Sequence, residues 1–175
     1  MGMMDSLRRT GRRMADATAG EEGAQDILDT LKQEHRDVAE MLDRLVESES
    51  GPERKRLLAS IRAALVPHLR AEQKVVYDAV IALKGKEQKE HGEEGYLEHD
   101  MAEKSLNSLF KVGNMTSPEF NAGAKVLKEL VEHHVAEEEK DVWADVREHF
   151  SGEERSKMNR KFAAAKKRVR VPSAA

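Results

Sequence analysis

The chain has no cysteine, which excludes disulfide frameworks, thiolate-held zinc, iron–sulfur clusters and cysteine nucleophiles together. Any metal it holds must be bound by nitrogen and oxygen. Aromatic residues are scarce at 4% and there are four prolines in 175 residues, whereas charged residues reach 36%. That balance favours an all-helical chain of one ordinary domain with tails. No apolar run is long enough to span a bilayer, and the first 25 residues lack an apolar secretory stretch. The expectation is a cytoplasmic protein with no membrane partner.

The net charge of −3 is small but unevenly spread, with eight Lys or Arg and no acid between Arg155 and Arg170. A nucleic-acid footprint is one reading of that run, but no aromatic stacking platform accompanies it. It reads instead as the solvated face of a terminal helix, and nucleic acid is not expected as a partner. Nothing in the sequence signals an oligomeric state.

Residues 1–25 carry Gly2, Gly11, Gly20 and Gly23 among small and charged residues and read as a flexible arm. From Asp26 the pattern changes. Ile27, Leu28, Leu31, His35, Val38, Leu42 and Leu45 recur at three and four, one helix face, ending near Ser50-Gly51-Pro52. A second helix carries Leu57, Leu58, Ile61, Leu65, His68, Glu72 and Val76 to Lys84-Gly85, with a kink or bulge expected at Pro67. A polar, glycine-bearing link over 86–95 leads to a third helix with Tyr96, His99, Leu106 and Leu109. Ser117-Pro118-Glu119 opens a fourth, running through Leu127, Val131, His134, Glu138 and Val142 to about Phe150. Ser151 caps a short basic fifth helix bearing Met158 and Phe162. The expected architecture is all-α, an antiparallel up-down four-helix bundle over 26–150, with an N-terminal arm over 1–25 and a basic C-terminal helix or tail over 151–175.

An internal repeat selects the residues that carry chemistry. Placing His68 on His134, an offset of 66, aligns Glu72 with Glu138, Val76 with Val142 and Tyr77 with Trp143. Placing His35 on His99, an offset of 64, aligns Glu34 with Glu98, Leu42 with Leu106 and Leu45 with Leu109. The chain is two halves, each a helix with one His followed by a helix with His-x-x-x-Glu. Residues i and i+4 of a helix differ by about 40° in direction, so each His–Glu pair projects side by side. A lone histidine on an apolar face is ordinarily a satisfied core residue. Four of them, two with a glutamate at one spacing, call for a metal, because a buried unpaired carboxylate costs several kcal/mol. The candidate ligands are therefore His35, His68, Glu72, His99, His134 and Glu138. His91, His133 and His149 read as surface residues.

This pattern is similar to the hemerythrin-like, or HHE cation-binding, family, carried by Glu34-His35-Arg36-Asp37, His68-Leu69-Arg70-Ala71-Glu72, Glu98-His99-Asp100 and His134-Val135-Ala136-Glu137-Glu138-Glu139. The resemblance implies a non-haem di-iron centre, two iron ions with an oxo or hydroxo bridge, that binds or reacts with dioxygen, peroxide or nitric oxide. Mixed imidazole and carboxylate donors suit iron, manganese or zinc better than calcium or magnesium.

Here the chain departs from the oxygen-carrying hemerythrins. Those would have His-x-x-x-His in the third helix, where this sequence has His99-x-x-x-Glu103. Glu103 either supplies the missing ligand or pairs with a cation such as Lys104 or Arg36. Tyr96, at i−3 from His99, either reaches the site or is a boundary aromatic, while Tyr77 and Trp143 read as packing residues at the bundle end. Asp100, Asp141 and Asp145 are the nearest acids by spacing to hold the outer ring nitrogens. Two functions fit: a protein that binds or senses dioxygen or a related oxidant at an open iron position, and an oxidoreductase that removes hydrogen peroxide or nitric oxide under oxidative stress.

Overall fold

A computed structural model of the chain describes residues 25–171. The arm expected over 1–25 lies, but for Gln25, outside the described residues, as do Pro172 to Ala175. All regular structure among the described residues is helical, with no strand. Helix α1 (Ile27–Glu47) is followed by α2 (Gly51–Glu72), which runs through a π turn (Gln73–Tyr77) into α3 (Asp78–Ile81). Helix α4 (Lys86–Leu109) comes next, then α5 (Pro118–Glu137), which passes through a second π turn (Glu138–Val142) into α6 (Trp143–His149). Helix α7 (Gly152–Lys166) is the last helix among the described residues. No described helix is long and apolar enough to cross a membrane.

The starts follow from short polar side chains that accept from otherwise orphaned backbone N–H groups. Asp26 accepts from Leu28 N at 3.0 Å, and Ser117 accepts from Phe120 N at 3.1 Å. Ser50 precedes Gly51-Pro52, so the proline that stops α1 also opens α2. Ser151 and Glu154 form a reciprocal capping box for α7. Pro67 sits inside a continuous α2, and the expected bulge comes after His68, at Gln73–Tyr77.

The polar link expected over 86–95 is instead the first part of α4. Its glycines are contact points rather than hinges. A Cβ on Gly95 would lie 2.6 Å from the ring of Tyr77, and one on Gly92 would collide with Ile81. In the repeat these two positions match Leu28 and Leu31 of α1, both buried. Glycine there makes room for the segment around Tyr77, so a composition that reads as a loop is a close helix–helix approach.

Helix α1 packs on α2 and α5, α4 packs on α5 and on the π turn and α3 beyond Glu72, and α7 lies across α1 and α2. The apolar core is split in two. One cluster holds Leu42, Leu45, Leu58, Ile61, Leu106, Phe120 and Leu127. The other holds Ile27, Leu31, Val76, Tyr77, Trp143, Val146 and Phe162. Each fully buried leucine contributes roughly 1.5–3 kcal/mol, and these two clusters clamp the polar layer between them.

Candidate metal centre

His35 lies between Leu31 of one apolar cluster and Val38 of the other, and His134 between Val131 and Val142. Helical spacing thus carries each histidine into the interior at the level where the clusters part. All six candidate ligands are buried, from 7% exposed at His35 to 0% at Glu72. Their donor atoms converge. His68 Nε2 and His99 Nε2 lie 3.3 and 3.5 Å from Glu72 Oε2. His35 Nε2 and His134 Nε2 lie 3.4 and 3.6 Å from Glu138 Oε2. Two triads, His35–His68–Glu72 and Glu72–His99–His134, each bring their donors within 4.8 Å of one another.

The arrangement fits metal ions better than it fits itself. Both oxygens of Glu72, Oε2 of Glu138 and Nε2 of His35 are buried without a hydrogen-bond partner. A buried orphan of this kind costs about 1–3 kcal/mol, more when charged; the His68 imidazole at 3.3 Å offsets part of that cost at Glu72 Oε2, and coordination would satisfy all four atoms.

Three of the four outer ring nitrogens are held by carboxylates that cross between helices, and His99 Nδ1 is not. His68 Nδ1 donates to Glu34 Oε2 at 3.0 Å, and His134 Nδ1 donates to Glu98 Oε2 at 2.8 Å. His35 Nδ1 donates to Glu139 Oε1 at 3.2 Å. Each bond leaves Nε2 facing the layer as the free donor. The three aspartates expected in this role are engaged elsewhere. Asp100 pairs with Lys104, Asp141 with Lys140, and buried Asp145 accepts from Gln88 and His91, each at 2.7 Å. Spacing along one helix missed the true partners because they come from neighbouring helices. The signal was present in the repeat, where Glu34 and Glu98 occupy matching places directly before His35 and His99.

The two π turns explain a second departure. In an α-helix residue i+5 lies about 140° round from i, which placed Tyr77 and Trp143 away from the ligand face. A π turn closes its bond at i+5 instead, here Asp78 N to Gln73 O and Trp143 N to Glu138 O. Trp143 Nε1 consequently donates to Glu138 Oε1 at 3.3 Å, and its ring stacks on His35 at 5.7 Å. The Tyr77 hydroxyl lies 3.2 Å from His99 Nε2 and 3.5 Å from His134 Nε2. Neither is mere packing at the bundle end; both touch the layer.

Burial and mutual charge set the protonation of the metal-free cluster. Burial would push His68 down, but the carboxylates of Glu72 and Glu34 outweigh it and hold the imidazole at about 9. Burial pushes His35 down to about 4, helped by the neighbouring His68, and His99 also lies well below the usual histidine range, through burial and then His134. Burial and the adjacent Glu72 push Glu138 far above the usual carboxylate range. Burial would raise Glu72 too, yet His68 keeps it ionised. Without metal the layer is therefore built around one His68–Glu72 ion pair with a proton retained on Glu138, and metal uptake would release protons.

Two expected candidates do not join the cluster. Glu103 forms a two-point ion pair with the Arg70 guanidinium, its Oε2 3.2 Å from Arg70 Nε. The strong match between fork and carboxylate turns it outward. The Tyr96 hydroxyl donates to Asp78 Oδ1 at 2.7 Å and lies 3.3 Å from the Gln73 carbonyl; it is Tyr77 whose phenol faces the histidines. His133 and His149 are exposed, as expected, the latter 3.0 Å from the Asp145 carbonyl, whereas His91 is half-buried against Asp145.

Helix α7 adds a cover to one side. Phe162 meets His68 edge-on at 5.8 Å, and Lys166 Nζ donates to Glu34 Oε1 at 2.6 Å. Arg155 anchors the helix start, donating to Asp26 Oδ2 at 2.7 Å. The basic terminal helix is thus partly a solvated face and partly the wall behind His68. On the other side a cleft lined by Glu94, Gly95, Glu98, Glu137 and Asp141 reaches Tyr77, His134 and Glu138.

A helical fold with a buried layer of four imidazoles and two carboxylates defines a metal-binding class of protein. Residues 26–144 match the family model of the hemerythrin HHE cation binding domain, and the chain belongs to that family. A protein from Nostoc sp. described as a DNA nickase is 26% identical over 145 residues, covering 82% of this chain and 40% of the nickase. The chain thus spans about two fifths of the length of that relative. No solved structure matches.

Proposed function

We propose that this chain is a non-haem di-iron protein that binds or senses dioxygen or a related small oxidant. His35, His68, Glu72, His99, His134 and Glu138 hold two iron ions, with residues 26–150 acting as one antiparallel four-helix unit. The observation that carries the reading is the set of buried carboxylate oxygens without a hydrogen bond facing Nε2 atoms, three of whose rings are already oriented from behind. Bound iron would supply the electron exchange with a small oxidant. The chain's residues supply the setting: the two apolar clusters exclude water, Glu34, Glu98 and Glu139 fix the rings, and the Tyr77 hydroxyl is a donor at the inner end of the cleft. Six ligands for two ions leave room for a small molecule, since Glu103 is committed to Arg70.

The alternative within the same site is a di-iron oxidoreductase that removes hydrogen peroxide or nitric oxide. Metal analysis with visible spectra before and after air tests the common part: about two iron per chain and a ferric-pair absorption are expected, and zinc or one ion per chain overturns it. Peroxide added to the iron-loaded protein separates the rest. A single stoichiometric spectral change supports the binder, and steady oxygen evolution supports the enzyme.

The likeness to the nickase favours a further reading, a metal module that works on or beside DNA, with the basic face of α7 turned to phosphate. Nicking of supercoiled plasmid by the iron-loaded chain, lost with the inner ligands, would support it over the oxidant reading. Intact plasmid would remove it.

A further inference from the structure

The two halves present the same glutamate to the same histidine, and the outer oxygen of that glutamate meets different company. Glu34 Oε2 holds His68, and its Oε1 meets the Lys166 ammonium at 2.6 Å. Glu98 Oε2 holds His134, but no Lys or Arg pairs with Glu98 among the described residues. Its Oε1 instead faces His133 Nε2 at 3.7 Å, and His133 Nε2 lies 3.4 Å from Glu137 Oε2. The corresponding positions of the first half are Pro67 and Ala71, which offer no donor. One half therefore has a fixed cation behind its glutamate. The other has an imidazole and a second carboxylate.

We propose that Glu98, His133 and Glu137 form an outer site for a single divalent first-row metal ion, separate from the buried layer, in the place that Lys166 fills in the other half. All three donor atoms lie within 4.8 Å of one another. Donors around one tetrahedral zinc ion, each about 2.0–2.2 Å from the metal, sit about 3–4 Å apart, and the two carboxylate oxygens lie 3.7 and 3.4 Å from His133 Nε2. His133 and Glu137 are one helical turn apart on α5, so they project together, and Glu98 reaches across from α4. One imidazole with two carboxylates selects zinc, iron or manganese over calcium. Glu94 and Asp141 line the same cleft, so the local field draws cations toward it. An ion on Glu98 Oε1 would also pin the carboxylate that orients His134, as Lys166 pins the one that orients His68. The site stands apart from the di-iron reading, with which it shares only Glu98.

The test is a titration of the metal-free full chain with Zn2+, read by calorimetry and by metal analysis after gel filtration. Wild type is expected to take one equivalent more than His133→Ala and one more than Glu137→Gln, while His68→Ala loses inner equivalents and keeps the outer one. His133→Lys, which supplies an ammonium instead of a ligand, should also lose that equivalent. Since His133 is exposed, these variants should keep the wild-type melting temperature. Equal stoichiometry in wild type and His133→Ala overturns the outer site. One equivalent in wild type and none in His133→Ala supports the outer site while overturning the inner pair.

Discussion

The two halves of the chain carry the same candidate ligands on the same scaffold and differ in what stands behind them. In the first half Leu28 and Leu31 fill the space beside the layer, Phe162 closes over His68 and Lys166 neutralises Glu34. In the second, Gly92 and Gly95 stand where those leucines would be, Tyr77 occupies the room, and a cleft lined by acids opens toward His134. The repeat keeps its candidate ligands and diverges in their surroundings: helix α7 covers His68 on one side, where a small cavity bordered by Glu34 and Val38 still reaches His35 and His68, and an acid-lined cleft reaches His134 on the other. Charge compensation thus differs between the halves, with Lys166 on Glu34 and no Lys or Arg on Glu98 among the described residues, while the six candidate ligands are common to both.

The largest effect should come from removing the cover over His68. Phe162 is 1% exposed and contacts His68, so Phe162→Ala removes a core aromatic and should cost about 3–5 kcal/mol by urea or thermal unfolding. Val126, on the outside of α5 and 50% exposed, is the control, and Val126→Ala should stay within about 0.5 kcal/mol. Equal costs would mean that α7 is not part of the fold's core.

The seat of Tyr77 can be disturbed by one carbon. Gly95→Ala would place a Cβ 2.6 Å from Tyr77 Cε2 and Cζ, and the ring, 0% exposed, must shift to accept it. Overpacking of this kind costs about 1–3 kcal/mol. The near-ultraviolet signal of Tyr77 should change with it, because the hydroxyl must leave its place beside His99. A stable variant with an unchanged tyrosine signal would show that the glycine is not what seats Tyr77.

How far the sequence foretold this layout depends on the range of the interaction. The apolar periodicity and the duplicated His and His-x-x-x-Glu units are local patterns, and the structure gathers those six side chains into one buried layer. The caps at Ser117 and Ser151 are local too, and they are where they were expected. What was missed depends on neighbours or on helix geometry that departs from the α period. Glu34, Glu98 and Glu139 reach across from other helices, and Arg70 captures Glu103. The π turns rotate Tyr77 and Trp143 onto the ligand face, so an α-helical wheel misplaces both. Over 86–95 the composition resembled a loop because glycine serves close packing as well as turns.

The smallest expected effect isolates one remaining difference between the halves. His35 Nδ1 is held by Glu139 at 3.2 Å, whereas the residue matching Glu139 in the repeat is Gln73 and no carboxylate holds His99 Nδ1. A carboxylate behind a ligating imidazole fixes its tautomer and raises its basicity, and losing such a partner typically costs 10–100-fold in metal affinity. Glu139→Gln makes the first half resemble the second. Because Glu139 is partly exposed, solvent screening should place the loss near the lower end, about tenfold or roughly 1.4 kcal/mol, with little change in the unfolding of the metal-free protein. Competition with a chelator of known affinity measures it. The reverse change, Gln73→Glu, tests whether the asymmetry matters. A gain in affinity would show that the bare ring of His99 limits the second half, and no gain would show that His99, pressed against Tyr77 and His134 at 3.2 and 2.9 Å, is already held in place by packing.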